Sequence, residues 1–301
     1  MRNSAAASHS IHFKKIQGIP VGKLASIEQF ASFVVEFGAK ETALYRGQRT
    51  DRPLLPRIAR IKLPLLRIGD KKSKEAKVRL AAERSVFEAF KREAVPYLPL
   101  EPTTPWRWLT IARHHELPTR LLDWSENPLI ALWFAVSKPA KGKEPGVVWQ
   151  YNPDGKDFID DTSSDKNPFA LRKAVVLRPS HTDDRIRVQA SIFTVHSYAV
   201  RGGKIIPFEN LKHNKRRLRK LLIEPEDFPY LRFRLDQLGI NEAVIYRDLT
   251  GLCHRIDWNN SFYEDEEGKF EWNSRKEEWM MLPQPRAASK RATKMSHRPK
   301  R

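Results

Sequence analysis

Cysteine is almost absent. Cys253 stands alone in 301 residues, which excludes an intramolecular disulfide and any four-cysteine zinc site and fits a reducing compartment. Nowhere do about 20 apolar residues run together, as a membrane-spanning helix requires, and the first residues lack the basic-then-apolar order of a secretory signal. A cytoplasmic location without a membrane partner is expected. The common nucleotide and hydrolase signatures are missing as well: no Walker A loop, no Gly-x-Ser-x-Gly, no Gly-x-Gly-x-x-Gly and no His-Glu-x-x-His. Acidic residues are scarce beside basic ones, 36 against 55, for a net charge of +19. Such an excess favours a polyanionic partner, because neutralising phosphates releases counterions.

What is present suffices for a core. Apolar residues make up 40% of the chain and eight are Trp, so most of it can offset the entropy of ordering. Residues 1–15 read as a flexible start, 16–260 as one domain, 261–284 as its extension, and 285–301 as a disordered basic tail. There is no internal repeat. Three segments carry dense basic charge: Arg60 to Arg79, Lys212 to Lys220, and the tail. They offer a surface for nucleic acid, although few aromatics interleave them, so base stacking is not indicated.

Periodicity and punctuation give the elements. Ser26 to Gln29 has capping-box spacing before Phe30, Phe33, Val34 and Phe37, and Gly38 stops that helix. Ala43 to Tyr45 reads as a strand leading into Arg46-Gly47, Arg60 to Arg79 as a loop, and Val78 to Phe90 as one face of a helix. Pro96, Pro99, Pro102 and Pro105 impose an extended connection before a helix at Trp106 to His114. Asn127-Pro128 opens a helix apolar on all sides, hence buried. Strands are expected at Val147 to Tyr151, Lys173 to Leu177, Ile205 to Phe208, Lys220 to Ile223 and Glu242 to Tyr246. Helices are expected at Phe228 to Leu238 and Leu249 to Ile256. The fold class is α+β, a single domain with a mixed, mostly antiparallel sheet flanked by helices.

Two polar segments stand out. Arg46, between Tyr45 and Gly47-Gln48 at a strand end, has the fork geometry to grip a carboxylate or pyrophosphate, or else makes a structural ion pair. His114 to Trp124 compresses His114, His115, Thr119, Arg120 and Asp123 into one connection between hydrophobic helices. Its residues either meet a ligand or serve structure, with Arg120 and Asp123 paired and Thr119 satisfying backbone donors. A metal site on His114, His115, Glu116 and Asp123 is not expected, because adjacent helical side chains diverge by about 100°.

These segments, with Asn127-Pro128, Arg187 to Ala190, Phe193-Thr194, Leu238 to Ile240 and Asp248 to Leu252, resemble the FRG domain from about Ser26 to Ile256. The resemblance implies a protein of the kind found in bacteria and their phages, without naming a reaction. Arg113 and Glu116 stand where the family commonly has Gln and Gly, and Ser191 replaces a further Gly in Gln189 to Phe193. The order Arg46, then Gln189 to Thr194, then Glu242 is also similar, more loosely, to Arg-Ser-Glu ADP-ribosyltransferases. That likeness implies an ADP-ribosyltransferase-like fold and NAD as substrate. Arg46, Glu242 and Thr194 (or Ser191) would be catalytic, with Tyr45, Gly47, Gln48, His114, His115, Thr119, Arg120, Asp123 and Gln189 around the ligand and Tyr45 or His196 at the nicotinamide. Its alternative is a non-catalytic, nucleic-acid-associated or regulatory module.

Overall fold

The computed structural model describes residues 10–38, 43–61, 75–162, 167–180, 187–197, 200–201, 204–273 and 278–282. Thirteen strands are described: β1 Lys14–Ile16, β2 Ile19–Lys23, β3 Leu44–Gln48, β4 Leu121–Ser125, β5 Gly146–Tyr151, β6 Phe158–Asp160, β7 Val175–Arg178, β8 Ser191–Val195, β9 Val200–Arg201, β10 Lys204–Ile205, β11 Leu218–Ile223, β12 Phe270–Asn273 and β13 Glu278–Met281. The α-helices are α1 Ile27–Phe37, α2 Arg57–Arg60, α3 Glu75–Ala94, α4 Pro105–His114, α5 Pro128–Val136, α6 Lys212–Lys215, α7 Phe228–Gln237, α8 Glu242–Tyr246 and α9 Leu249–Asn260.

Nine strands form one sheet in the order β1-β2-β11-β5-β3-β4-β8-β7-β6. Only β2 with β11 and β6 with β7 run parallel, so the sheet is mixed and mostly antiparallel, as expected of an α+β chain. Alternation along each strand divides the core. In β5, Val148 faces a layer with Phe30 and Phe33 of α1, Ile130 and Leu132 of α5, Leu231 of α7 and Ile245 of α8. Its neighbours Val147 and Trp149 face the other side, with Leu122, Trp124, Phe208 and Leu218. A third cluster joins Phe87 of α3 and Trp106 and Leu109 of α4 to Val175, Leu177, Phe193 and Val195.

Local signals explain the helices that carry the site. Ser26 accepts a hydrogen bond from the Gln29 amide at 3.2 Å, and Gln29 accepts from the Ala25 amide at 3.0 Å, a reciprocal cap. Asn127 caps α5 by accepting from the Leu129 amide at 3.0 Å, with Pro128 at the first helical position. α5 is buried on most sides and crosses β3 at Gly47, where a Cβ would lie 1.8 Å from the Ala131 carbonyl oxygen and 2.7 Å from the Ala135 amide nitrogen. Only a residue without a side chain allows that approach.

Several expectations are corrected. Glu242–Tyr246 is helical, because Asn241 caps it by accepting from the Val244 amide at 3.2 Å. The strand expected at 205–208 is reduced to the end of β10, followed by a 3-10 turn at Phe208–Asn210. Most of the loop expected at 60–79 lies outside the described residues, and its end already belongs to α3. The connection after His114 is partly strand, β4, paired in antiparallel register with β8. The tail from 285 lies outside the described residues. Among the described residues no helix is long and apolar enough to cross a membrane.

Candidate functional site

The ends of β3, β4 and β8 meet α4 and the flank of α5 around a cleft of about 270 Å³. Arg46, on β3, is partly buried and donates through Nη1 to the Asp123 carbonyl oxygen at 2.6 Å and to Oδ2 at 3.4 Å. Its Nε donates to Gln48 Oε1 at 3.2 Å, and Gln48 in turn donates to the Arg52 carbonyl at 2.8 Å. From the last turn of α4, Arg113 grips the same Asp123 with both ends of its fork, Nε to Oδ1 and Nη2 to Oδ2, each at 2.8 Å. Two arginines thus share one carboxylate at the cleft wall.

The electrostatics follow from that sharing. Burial pushes the Asp123 carboxyl up, but Arg113 and Arg46 outweigh it and hold the group below the usual carboxylate value. Asp123 is therefore ionised and acceptor-only at neutral pH. Burial lowers Arg46; Asp123 opposes that, while Arg113 and Arg60 lower it further. Asp123 more than offsets the burial of Arg113 and raises it. The cleft thus concentrates the positive charge of Arg46, Arg113 and the nearby Arg60 around one carboxylate, an arrangement suited to an anion.

Of the residues singled out from sequence, Tyr45, Arg46, Gly47, His114, Asp123, Gln189 and Ser191 line this cleft, and Gln48 supports Arg46. Gln189 is tied in place: its carbonyl accepts from the Ser125 hydroxyl at 2.7 Å, and its side chain donates to the Ile245 carbonyl at 3.3 Å. His115 is exposed and packs edge-on against His114 with ring centroids 5.1 Å apart. Thr119 is buried and accepts from the Leu121 amide at 3.3 Å.

Arg120 does not pair with Asp123. It is buried on another side, with Nη2 at 2.7 Å from Oε2 of the equally buried Glu83, Nη1 donating to the Pro168 carbonyl at 2.6 Å, and its guanidinium over the Phe169 ring at 4.7 Å. The two residues are three apart at an extended strand, where side chains alternate, so they face opposite sides of the sheet. Thr194 is also fully buried, accepting from Trp124 Nε1 at 3.0 Å, and His196 is buried against Phe208. Neither lines the cleft. Glu242 sits in a separate depression with Trp133 and Arg232, bonded to Lys138 at 3.2 Å and His254 at 2.7 Å. The structure therefore does not bring Glu242 to Arg46 at one cleft.

Sequence reasoning passed over Arg113, Ser125 and Phe134, and Glu116 as a residue of the cleft. Arg113 was detectable only as a departure from the family pattern. Glu116 has φ 61 and Ala190 φ 43, in the left-handed region that glycine enters without strain. Glu116 occupies the position where the family commonly has glycine; in the second segment the left-handed residue is Ala190, while Ser191 is ordinary strand. Among the described residues no three His, Cys, Asp or Glu side chains converge as a metal-binding group.

No curated protein and no solved structure matches the chain. Residues 41–144 match the FRG domain, a stretch that carries Arg46, Arg113, His114 and Asp123, and over those residues the chain carries an FRG domain.

Proposed function

We propose that the cleft binds a phosphate-bearing nucleotide, that this nucleotide is NAD, and that the reaction is cleavage of its nicotinamide–ribose bond. The observation that carries this reading is the pair of arginines, Arg46 and Arg113, held on one ionised carboxylate at the wall of a cleft. Arg46 keeps the anion-binding part that chain order suggested for it. Ser191, at the start of β8 and lining the cleft, takes the hydroxyl part in place of the buried Thr194. Asp123 takes the carboxylate part in place of Glu242.

The chemistry needs little more. Arg46 holds the pyrophosphate, with the charge of the nearby Arg60 adding to the attraction, since about 270 Å³ is small for a whole dinucleotide but admits its nicotinamide riboside half. Nicotinamide leaves with the bonding electron pair, and positive charge develops on the ribose. Asp123, ionised and fixed by Arg113, faces that charge without having to reorganise. Water or an acceptor nucleophile then bonds to C1′ and gives up its proton.

Two measurements test the reading in sequence. Calorimetric titration of the protein with NAD and with ADP-ribose is expected to show binding that Arg46→Ala weakens by at least about tenfold, the loss of one charge-assisted contact. Nicotinamide release is expected from the parent and not from Asp123→Asn. Absence of binding overturns the site; binding without release by the parent overturns the reaction alone.

A further inference from the structure

Away from the cleft, one depression is lined by basic side chains. It is an open hollow of about 490 Å³ bounded by Gly18, Lys212, His213, Lys215 and Arg216. The β1–β2 hairpin supplies one wall, turning through Gln17 at φ 50 and Gly18 at φ 87, a two-residue turn with both central residues left-handed. α6 supplies the other. Asn214 is buried and donates to the Phe208 carbonyl at 3.1 Å, which fixes this short helix with Lys212, His213 and Arg216 exposed. Lys215 joins the walls by donating to the Gln17 carbonyl at 3.3 Å.

The basic residues of the run Lys212 to Lys220 differ in their partners, and Arg219, which donates to Gln150 at 3.3 Å and lies over the Phe37 ring, belongs to neither group that follows. Arg217 is neutralised by Asp154 and Asp157, and Lys220 by Asp51 at 2.6 Å. Lys212, His213, Lys215 and Arg216 have no acidic partner among the described residues, and they are the four that converge on the hollow. Lys14 and Lys15 add exposed charge on β1. The uncompensated charges of Lys212, Lys215 and Arg216, gathered in one concavity, raise the local potential and draw in a polyanion.

We infer that this hollow is a docking surface for the phosphate backbone of a nucleic acid, separate from the nucleotide cleft and independent of what that cleft does. The lining has no Phe, Tyr or Trp side chain to serve as a platform for bases, so contact is chiefly with phosphates and is indifferent to base sequence. An anionic membrane is disfavoured: insertion needs a broad apolar face, and next to the hairpin turn only Ile16 is an exposed large hydrophobic residue.

Fluorescence anisotropy of the full chain with a labelled oligonucleotide of roughly 20 nucleotides, single-stranded or duplex, tests this. The parent is expected to bind with an affinity that falls steeply with salt. Lys212→Glu combined with Arg216→Glu is expected to weaken binding at least about tenfold at low salt and to reduce the salt slope by about 2, one unit for each lost phosphate contact. Lys212→Gln with Arg216→Gln gives a smaller loss in the same direction, and unchanged thermal melts establish that both variants fold. Lys141→Glu with Lys143→Glu, exposed elsewhere, leaves binding nearly unchanged. The proposal is overturned by a parent that does not bind, by reversal variants that keep the parent affinity and slope, by equal loss in the Lys141 and Lys143 control, or by binding to phosphatidylserine vesicles in place of the oligonucleotide.

Discussion

His196 shows how one residue sets a response to pH. Its ring is buried, Nε2 has no hydrogen-bond partner among the described residues, and burial, then Arg120 and Arg46, push its pKa down to about 3. An unfolded chain binds a proton at this ring near pH 6.5. Below that value the unfolded state takes up a proton that the folded state refuses, so stability falls as pH drops from about 6.5 towards about 3. His196→Phe is expected to flatten this dependence by up to about 1.4 kcal/mol per pH unit below pH 6, read from urea midpoints at successive pH values. An unchanged slope would mean that the ring is hydrated or paired in solution. Glu116 is the second single-residue case. At φ 61 it occupies backbone space that costs an L-residue about 1 kcal/mol, so Glu116→Gly is expected to raise stability by about that much while leaving the Arg57 bond to its carbonyl in place. Chemical denaturation would show it, and a loss of stability would contradict it.

At the scale of elements, β3 and α5 are locked together by the absence of a side chain. Gly47→Ala places a methyl group against the α5 backbone at Ala131, which cannot yield as a flexible side chain would. The expected cost is at least about 3 kcal/mol, at the upper end of overpacking, and Arg46 shifts with its strand. A melting temperature within a degree or two of the parent would refute that lock. α3 is tied to the residue before β4 by another device, the buried pair Glu83 and Arg120. Glu83→Gln leaves a buried guanidinium uncompensated and is expected to cost about 3 to 5 kcal/mol, whereas Glu83→Leu with Arg120→Met costs much less than two such losses, because neither charge is left buried alone. A double-mutant cycle measures the difference.

Across the whole molecule, the two proposed sites lie on separate elements and should fail separately. Arg46→Ala is expected to weaken nucleotide binding at least about tenfold and leave oligonucleotide binding intact, and reversal of Lys212 and Arg216 the converse, as titrations of the same preparations would show. What the sequence alone determined was local. Capping at Ser26 and Asn127, proline punctuation before α4, the apolar α5 and the α+β class could be read because each rests on a side chain and its near neighbours in the chain. The family resemblance was legible for the same reason, in contiguous motifs, and Arg46 and Asp123 could be singled out within them. Whether those two met was decided only by the sheet, which sets β3 beside β4 and brings the end of α4 over both. Pairings across 77 residues, such as Arg46 with Asp123, leave no periodicity to read, and a strand's alternation cannot tell which face will be the cleft. That is why Arg120 went to Glu83 rather than Asp123, why Thr194 turned inward, and why Glu242, a residue at the start of a short capped helix, came to rest with Lys138 and His254.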